Sequence, residues 1–297
     1  MTIYNTIFRK ANFMINYALI TLATAMFSAM FFFNQTFQRS YGSGLRASLL
    51  FSAGSGIFGL IVLLIINGFS FEYTHFALIM ALLNALNSLG FAFCSLKALG
   101  KINLSLFSLF SMLGGMALPF VSGILFHGEK LTLGKGICFA FITLALLLTI
   151  KKDNGKKGTL YYIGVFVLNG MSGVLSKIFK DAPFEKTSDA GYSILCAVVS
   201  VTLSLILLFI FRPEKKKISP MTLISMAGNG ILGRVGNWIL LITLTALPAS
   251  AQFPFVTGGT MILSTLLCYF TPEKPKIREI AAVVVSFAGL LVLLFIP

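Results

Sequence analysis

Apolar and polar residues follow one another along this chain in long blocks. Stretches free of Asp, Glu, Lys and Arg alternate with short charged or turn-rich segments, and the clearest of them are 11–38, 47–71, 73–96, 102–128 and 190–211. An α-helix needs about 20 apolar residues to cross the hydrocarbon core of a bilayer, whereas the strands of a membrane β-barrel give shorter segments of alternating polarity. The pattern therefore predicts an all-α integral membrane protein.

The breaks between the blocks predict ten transmembrane helices. Segments rich in glycine, serine and asparagine, such as 40–44 and 67–68, separate one helix from the next. We expect the helices at about 13–35, 45–67, 74–97, 102–126, 131–150, 160–179, 188–211, 220–246, 249–271 and 277–296. The first apolar block follows Arg9 and Lys10, as in a secretory signal, but it continues to Phe33, and we interpret it as a transmembrane helix.

The two halves of the chain share one layout. An apolar block, a short charged corner and a second apolar block occur at 118–148 and again at 262–294, and the corner residues Glu129 and Glu273 lie 144 positions apart. Such self-similarity indicates a duplicated module.

The duplication predicts two five-helix repeats, at 1–150 and 160–297, joined by a basic linker at 151–159. Because five is odd, the second repeat would enter the membrane from the opposite side. The expected fold is therefore an inverted pair of repeats, the layout common in secondary transporters.

Composition agrees with a membrane protein, since 57% of the residues are hydrophobic and only 11% are charged. The net charge of +14 comes from Lys and Arg scattered among the short links, which favours contact with anionic lipid headgroups over nucleic acid. Four cysteines stand singly in apolar stretches without CxxC spacing, so we interpret them as small buried hydrophobes. No metal or cofactor is expected.

Arg234 is the strongest candidate for chemistry. It lies in the middle of the eighth predicted helix, and charges within a membrane are costly and usually functional. Gly230, Arg234 and Asn237 share one helix face. One hypothesis is that Arg234 holds an anionic group of a cargo with Asn237 beside it. The alternative is that Arg234 binds backbone carbonyls within the bundle.

Uncharged polar residues supply further candidates for substrate binding. Asn84 and Asn87 share a face of the third helix, and Asn169 and Ser172 share a face of the sixth. Each of these side chains either lines a cavity or joins two helices by a hydrogen bond.

All nine acidic residues map to links or helix ends, which disfavours proton-coupled export of cations. Glu129 and Glu273 have a structural interpretation, as anions at the N-terminal ends of the fifth and tenth helices, where the helix dipole favours them.

The chain resembles EamA-type ten-helix members of the drug/metabolite transporter superfamily. The resemblance rests on the two five-helix halves, on Pro119 followed by Gly128-Glu129, and on Glu273 before the tenth helix. Position 272 is Pro where the family usually has Gly. The resemblance implies alternating access around a cavity between the halves, walled by helices 1, 3, 4, 6, 8 and 9, with both termini cytoplasmic.

The distribution of Lys and Arg among the links does not agree with that orientation. With a cytoplasmic N-terminus, seven Lys and Arg residues would lie on the inner face and fifteen on the outer face. Because positive residues favour the cytoplasm, the count predicts both termini outside.

We expect a secondary transporter in the plasma membrane that exports a small metabolite, an amino acid or another carboxylate-bearing compound. Alternatives are a multidrug exporter of low specificity and, from other classes, a membrane enzyme acting on lipid-linked substrates or a lipid-handling protein. An enzyme is disfavoured because only His75 and His127 are present as histidines and no second ligand is near either. Expected partners are the small-molecule substrate and membrane lipids. A homodimer is an alternative to the monomer.

Overall fold

The computed structural model describes residues 2–126, 132–149, 156–211, 217–243 and 249–295 of the 297-residue chain. All regular secondary structure in these ranges is helical, which confirms the all-α class. The helices are α1 (Thr2–Tyr41), α2 (Leu45–Ile66), α3 (His75–Leu99), α4 (Leu104–Phe126), α5 (Leu133–Thr149), α6 (Lys156–Asp181), α7 (Asp189–Phe211), α8 (Pro220–Thr243), α9 (Ala249–Cys268) and α10 (Ile277–Phe295).

Within the residues that the structure describes, six helices are long and apolar enough to cross a membrane: α1 (from Met14), α2, α3, α4 (to Leu125), α6 (from Leu160) and α7. Two shorter apolar helical segments occur at Gly136–Leu148 and Phe255–Cys268. The outward faces are also apolar, as at Ile61 of α2 and Phe209 of α7, which are 49% and 72% exposed. A soluble monomer rarely exposes so much continuous apolar surface. The chain is therefore a helical membrane protein.

Polar residues in the links define where helices begin. The side chains of Thr74, Asn103 and Ser219 accept hydrogen bonds from backbone N–H groups at the starts of α3, α4 and α8. These bonds satisfy donors that lack a partner within the helix. At the end of α2, Gly68 and Phe69 both adopt positive φ, which stops the helix after Ile66.

Two helices extend beyond the positions predicted from the sequence. The first begins at Thr2 instead of about 13, and the sixth begins at Lys156, inside the segment predicted as a linker. The prediction followed apolar residues, but backbone hydrogen bonds continue a helix into polar flanks without them. The rest of that linker, 151–155, lies outside the described residues.

Eight helices form a closed ring in which each packs against the next, in the order α8, α1, α9, α4, α6, α3, α7, α2 and back to α8. Every neighbouring pair joins one helix from the first five with one from the last five. The two halves therefore interleave. Helices α5 and α10 pack against each other beside the ring, next to α4 and α9, while α3 and α8 do not pack against each other within the described ranges.

Glycine allows the closest contacts in the ring. A Cβ atom added at Gly230 of α8 would overlap the carbonyl oxygen of Ser55 on α2. Likewise, a Cβ at Gly114 of α4 would overlap the carbonyl oxygen of Phe166 on α6. At both contacts the two backbones touch, as small residues permit between membrane helices.

Candidate functional site

Arg234 lies inside the bundle, where α8 packs on α2. The Cγ atom of Arg234 would be 2.9 Å from a Cβ at Gly59, so only glycine fits at that position of α2. The side chain is surrounded by protein, yet part of its surface remains accessible, which places it in an internal cleft. In the described part of the chain the guanidinium has no hydrogen-bond or ion-pair partner. This group is costly to bury without one.

A thiol and an amide extend the cleft towards α7 and α3. The buried Cys196 of α7 lies near Arg234. Asn84 of α3 donates from Nδ2 to the Cys196 Sγ atom at 3.5 Å. Residues from α2, α3, α7 and α8 therefore meet here, and we call the group formed by Gly59, Asn84, Tyr192, Cys196 and Arg234 the Arg234 cleft.

Tyr192 contributes a hydroxyl group to the same cleft. It lies one helical turn before Cys196, beside Cys196 and Asn84, and is only 7% exposed. Its hydroxyl has no hydrogen-bond partner among the described residues. The ring stacks on Phe179 of α6 with centroids 3.9 Å apart and planes at 10°, and Phe179 stacks on Phe76 of α3. This stack separates the cleft from the membrane face where α2 and α6 end.

At that face a carboxylate joins the two halves. Glu72, in the link before α3, accepts from the Ser188 backbone N–H at 2.6 Å and from the Ser188 hydroxyl at 2.7 Å. The hydroxyl and then the backbone N–H lower the pKa of Glu72 below its usual value, because both bonds favour the ionised form. Ser188 also accepts from the Gly191 N–H and so caps α7.

Two of the predicted binding residues form hydrogen bonds between helices. Asn87 donates from Nδ2 to the Leu168 carbonyl at 2.9 Å, and Asn169 donates to the Ser111 carbonyl at 2.6 Å. The first bond joins α3 to α6 and the second joins α6 to α4. The Oδ1 atom of Asn87 remains buried without a partner in the described ranges.

The other two uncharged candidates also lie apart from Arg234. Ser172 is partly buried on α6, and its carbonyl accepts from Ser176. Asn237 is exposed on α8, three residues after Arg234. The structure therefore places both Asn84 and Arg234 near Cys196, whereas Asn87, Asn169, Ser172 and Asn237 make no hydrogen bond to these three residues in the described ranges.

The structural role predicted for Glu273 belongs to another residue. Glu273 is exposed in the link before α10, whereas Glu279 lies in the first turn of that helix. Glu279 accepts from the Lys276 backbone N–H at 2.8 Å and from Asn103 Nδ2 at 2.6 Å, so it caps α10 and ties it to the start of α4. Glu129, predicted for α5, lies outside the described residues.

A second polar region lies where α1, α4 and α9 meet. Ser28 donates to the Thr260 carbonyl at 3.3 Å, and the hydroxyls of Ser105 and Thr265 are 2.7 Å apart. We call Ser28, Ser105, Thr260, Ser264 and Thr265 the hydroxyl region. All five are 7% exposed or less, and the region carries no charged side chain.

The sequence had not indicated Cys196 or Tyr192 as site residues. Their i and i+4 spacing on α7, which places a hydroxyl and a thiol on one face of a mostly apolar helix, was the available signal. Within the described ranges, no group of three or more His, Cys, Asp or Glu side chains is arranged to hold a metal ion.

Comparison with known proteins adds a likeness in fold. No family model matches the chain, and no curated protein matches it. A solved structure described only as "Crystal structure of protein" is similar over 93% of this chain and 94% of that chain, with a TM-score of 0.62 and 15% sequence identity. At this identity the likeness concerns the fold alone.

Proposed function

We propose that this protein is a secondary transporter that carries a small carboxylate-bearing metabolite across the plasma membrane by alternating access, in the direction of export. One observation carries the proposal: the Arg234 guanidinium lies in an internal cleft without a partner in the described part of the chain. A carboxylate matches its planar fork of donors.

The surroundings of Arg234 support a site that is shared by both halves of the chain. Gly59 and Asn84 belong to the first half, and Cys196 and Arg234 belong to the second. The cleft therefore lies inside the ring, where helices of the two halves interleave and where α3 and α8 do not pack against each other in the described ranges. Movement of one half against the other would expose the cleft to each side in turn.

Helix contacts support the inverted repeats that this mechanism needs. If each helix is matched with the one five positions away in chain order, the contacts of α1 with α8 and α9 correspond to those of α6 with α3 and α4. The contacts of α2 with α7, α4 with α9 and α5 with α10 each join a helix to its own counterpart, as a two-fold axis between them requires. We infer a pseudo-two-fold arrangement of two five-helix repeats.

Helix directions support the inversion. Tyr17 contacts Phe255 and Ser28 contacts Thr260, so α1 runs parallel to α9. Gly115 meets Asn169 and Gly173 meets Pro119, so α6 runs parallel to α4. Asn103, at the start of α4, bonds beyond the end of α9, which makes α4 and α9 antiparallel. It follows that α1 and α6, the first helices of the two repeats, point in opposite directions.

The proposal is tested by transport in proteoliposomes. Wild-type protein is reconstituted with radiolabelled short-chain carboxylates, amino acids and lipophilic cations in separate assays. We expect saturable movement of carboxylate-bearing compounds that Arg234→Gln reduces by roughly 100-fold or more, since a charge-assisted bidentate contact is lost. Arg278→Gln, the same change at an exposed arginine at the start of α10, is the control.

Two results would contradict the proposal. Undiminished carboxylate transport by a correctly inserted Arg234→Gln protein would remove Arg234 from the site. Transport of lipophilic cations alone would favour a multidrug exporter instead.

A further inference from the structure

The charges around Arg234 limit the class of compound that the cleft can bind. We propose that the Arg234 cleft selects an organic monoanion without an ammonium group, and so excludes zwitterionic amino acids. The inference rests on the proposed function and concerns the chemistry of the same site.

The one charged group of the cleft offers only hydrogen-bond donors, because a guanidinium has no acceptor. The Tyr192 hydroxyl can also donate, while Asn84 already donates from Nδ2 to Cys196. Tyr192 and Arg234 are both without hydrogen-bond partners in the described ranges. An anionic group with several lone pairs is a suitable acceptor for the Arg234 guanidinium.

An ammonium group on the cargo would have no anionic partner near Arg234. In an α-amino acid it lies next to the carboxylate, so binding the carboxylate at Arg234 brings a second positive charge near the guanidinium. The six acidic residues that the structure describes all lie in links or at helix ends: Glu72, Asp181, Glu185, Asp189, Glu273 and Glu279. Glu72, at the membrane face beyond the aromatic stack, is already bonded twice by Ser188.

The net charge of the loaded cleft determines which charge on the cargo is preferred. One carboxylate neutralises the single guanidinium, and the loaded cleft then carries no net charge. A dicarboxylate would leave one negative charge in surroundings of low polarity, and such a charge is costly. A zwitterion would leave one positive charge there. The monoanion is the only one of the three that gives a neutral complex.

Matched probes test this selection. We would measure the shift in melting temperature of the purified full-length protein with 4-methylpentanoate against leucine, and with 3-phenylpropanoate against phenylalanine. Each pair differs by one amino group. We expect the simple carboxylates to stabilise the protein and the amino acids to bind roughly tenfold more weakly or worse, because their ammonium is buried without an anionic partner. Succinate, as a dianion, should also bind more weakly.

The outcomes separate this inference from the proposed function. If leucine or phenylalanine binds as tightly as its partner, and Arg234→Gln abolishes that binding, the transporter proposal stands and the monoanion inference fails. If carboxylates bind equally well to wild-type and Arg234→Gln protein, both fail. No stabilisation by any carboxylate probe would also overturn both.

A gain-of-function variant tests the same point independently. Asn84→Asp keeps the shape of the side chain and adds an acid beside Cys196. We expect the affinity ratio of leucine to 4-methylpentanoate to rise by roughly tenfold, since the new carboxylate can pair with the ammonium. An unchanged ratio in a folded variant would show that charge at this position does not select the cargo.

Discussion

The Arg234 cleft and the hydroxyl region both place polar groups inside the helix bundle, yet they meet the cost of removing those groups from water differently. In the hydroxyl region, Thr265 bonds to Ser105 and to the Met261 carbonyl of its own helix, while the buried hydroxyls of Thr260 and Ser264 have no partner among the described residues. The Arg234 guanidinium has no hydrogen-bond or ion-pair partner within the described ranges. A hydroxyl can be satisfied by the helix that carries it, whereas a charge needs a counter-charge from elsewhere.

The largest expected effect separates stability from transport at Arg234. Replacing a partly buried charge that has no partner in the described ranges removes part of a desolvation penalty, so Arg234→Met should abolish carboxylate transport while it raises the stability of the cargo-free protein by about 1–3 kcal/mol. Thermal unfolding in detergent and transport in proteoliposomes measure the two effects. Arg278→Met should change neither. A destabilised Arg234→Met protein would mean that the guanidinium holds the bundle together.

The next effect concerns the backbone contact under Arg234. Gly230→Ala places a methyl group against the Ser55 carbonyl and should force α2 and α8 apart, at a cost of about 1–3 kcal/mol. Carboxylate affinity should fall with it, because Arg234 lies one turn further along α8. Gly136→Ala on α5, where the added carbon meets nothing within 4 Å, is the matched control and should be neutral or slightly stabilising. Equal loss of stability in both variants would remove the contact as the cause.

A smaller effect is expected in the hydroxyl region. Ser105→Ala and Thr265→Val, singly and together, form a double-mutant cycle whose coupling energy should be about 0.5–1 kcal/mol. Transport should remain near the wild-type value, since no charge is involved. Thr143→Ala, at an exposed hydroxyl of α5 that bonds its own helix, controls for loss of a hydroxyl in general. Loss of transport in Ser105→Ala would place this region in the cargo path.

The smallest effect lies at Glu72 and depends on pH. Because Ser188 lowers the pKa of Glu72 in the folded protein, the stability it contributes is fully present above the ordinary value of 4.5 and is lost as the pH falls through the lowered value. Glu72→Gln should therefore flatten this part of the pH–stability curve, while Glu185→Gln, at an exposed acid in the link before α7, should leave it intact. Melting temperatures between about pH 6 and pH 3 measure the difference. Identical curves for Glu72→Gln and wild type would show that the pair adds no stability.

Local patterns were sufficient for most of the helices. The seventh was predicted at 188–211 and spans Asp189–Phe211, because a long apolar run between polar links leaves little freedom. The extension of α1 to Thr2 was not predictable from apolar periodicity, since those residues are mostly polar. Contacts between helices were beyond local patterns altogether.

The site shows the same division. Arg234 could be selected from the sequence because a single charge in an apolar block is conspicuous by itself. The sequence also offered Asn84 as a candidate, but not its contact with Cys196, since the two are 112 positions apart and meet only through the order of helices in the ring. Asn169 looked equivalent to Asn84, and only the position of the Ser111 carbonyl distinguishes its role as a tie between helices.

The alternation of halves around the ring has a consequence for biogenesis. Each of α1 to α4 finds its ring neighbours among helices that the ribosome makes later, so the first half enters the bilayer with its principal contact surfaces unmatched. Lipid or an insertion chaperone must shield those surfaces until α6 to α9 arrive. The ring can therefore close only after α9 has been made.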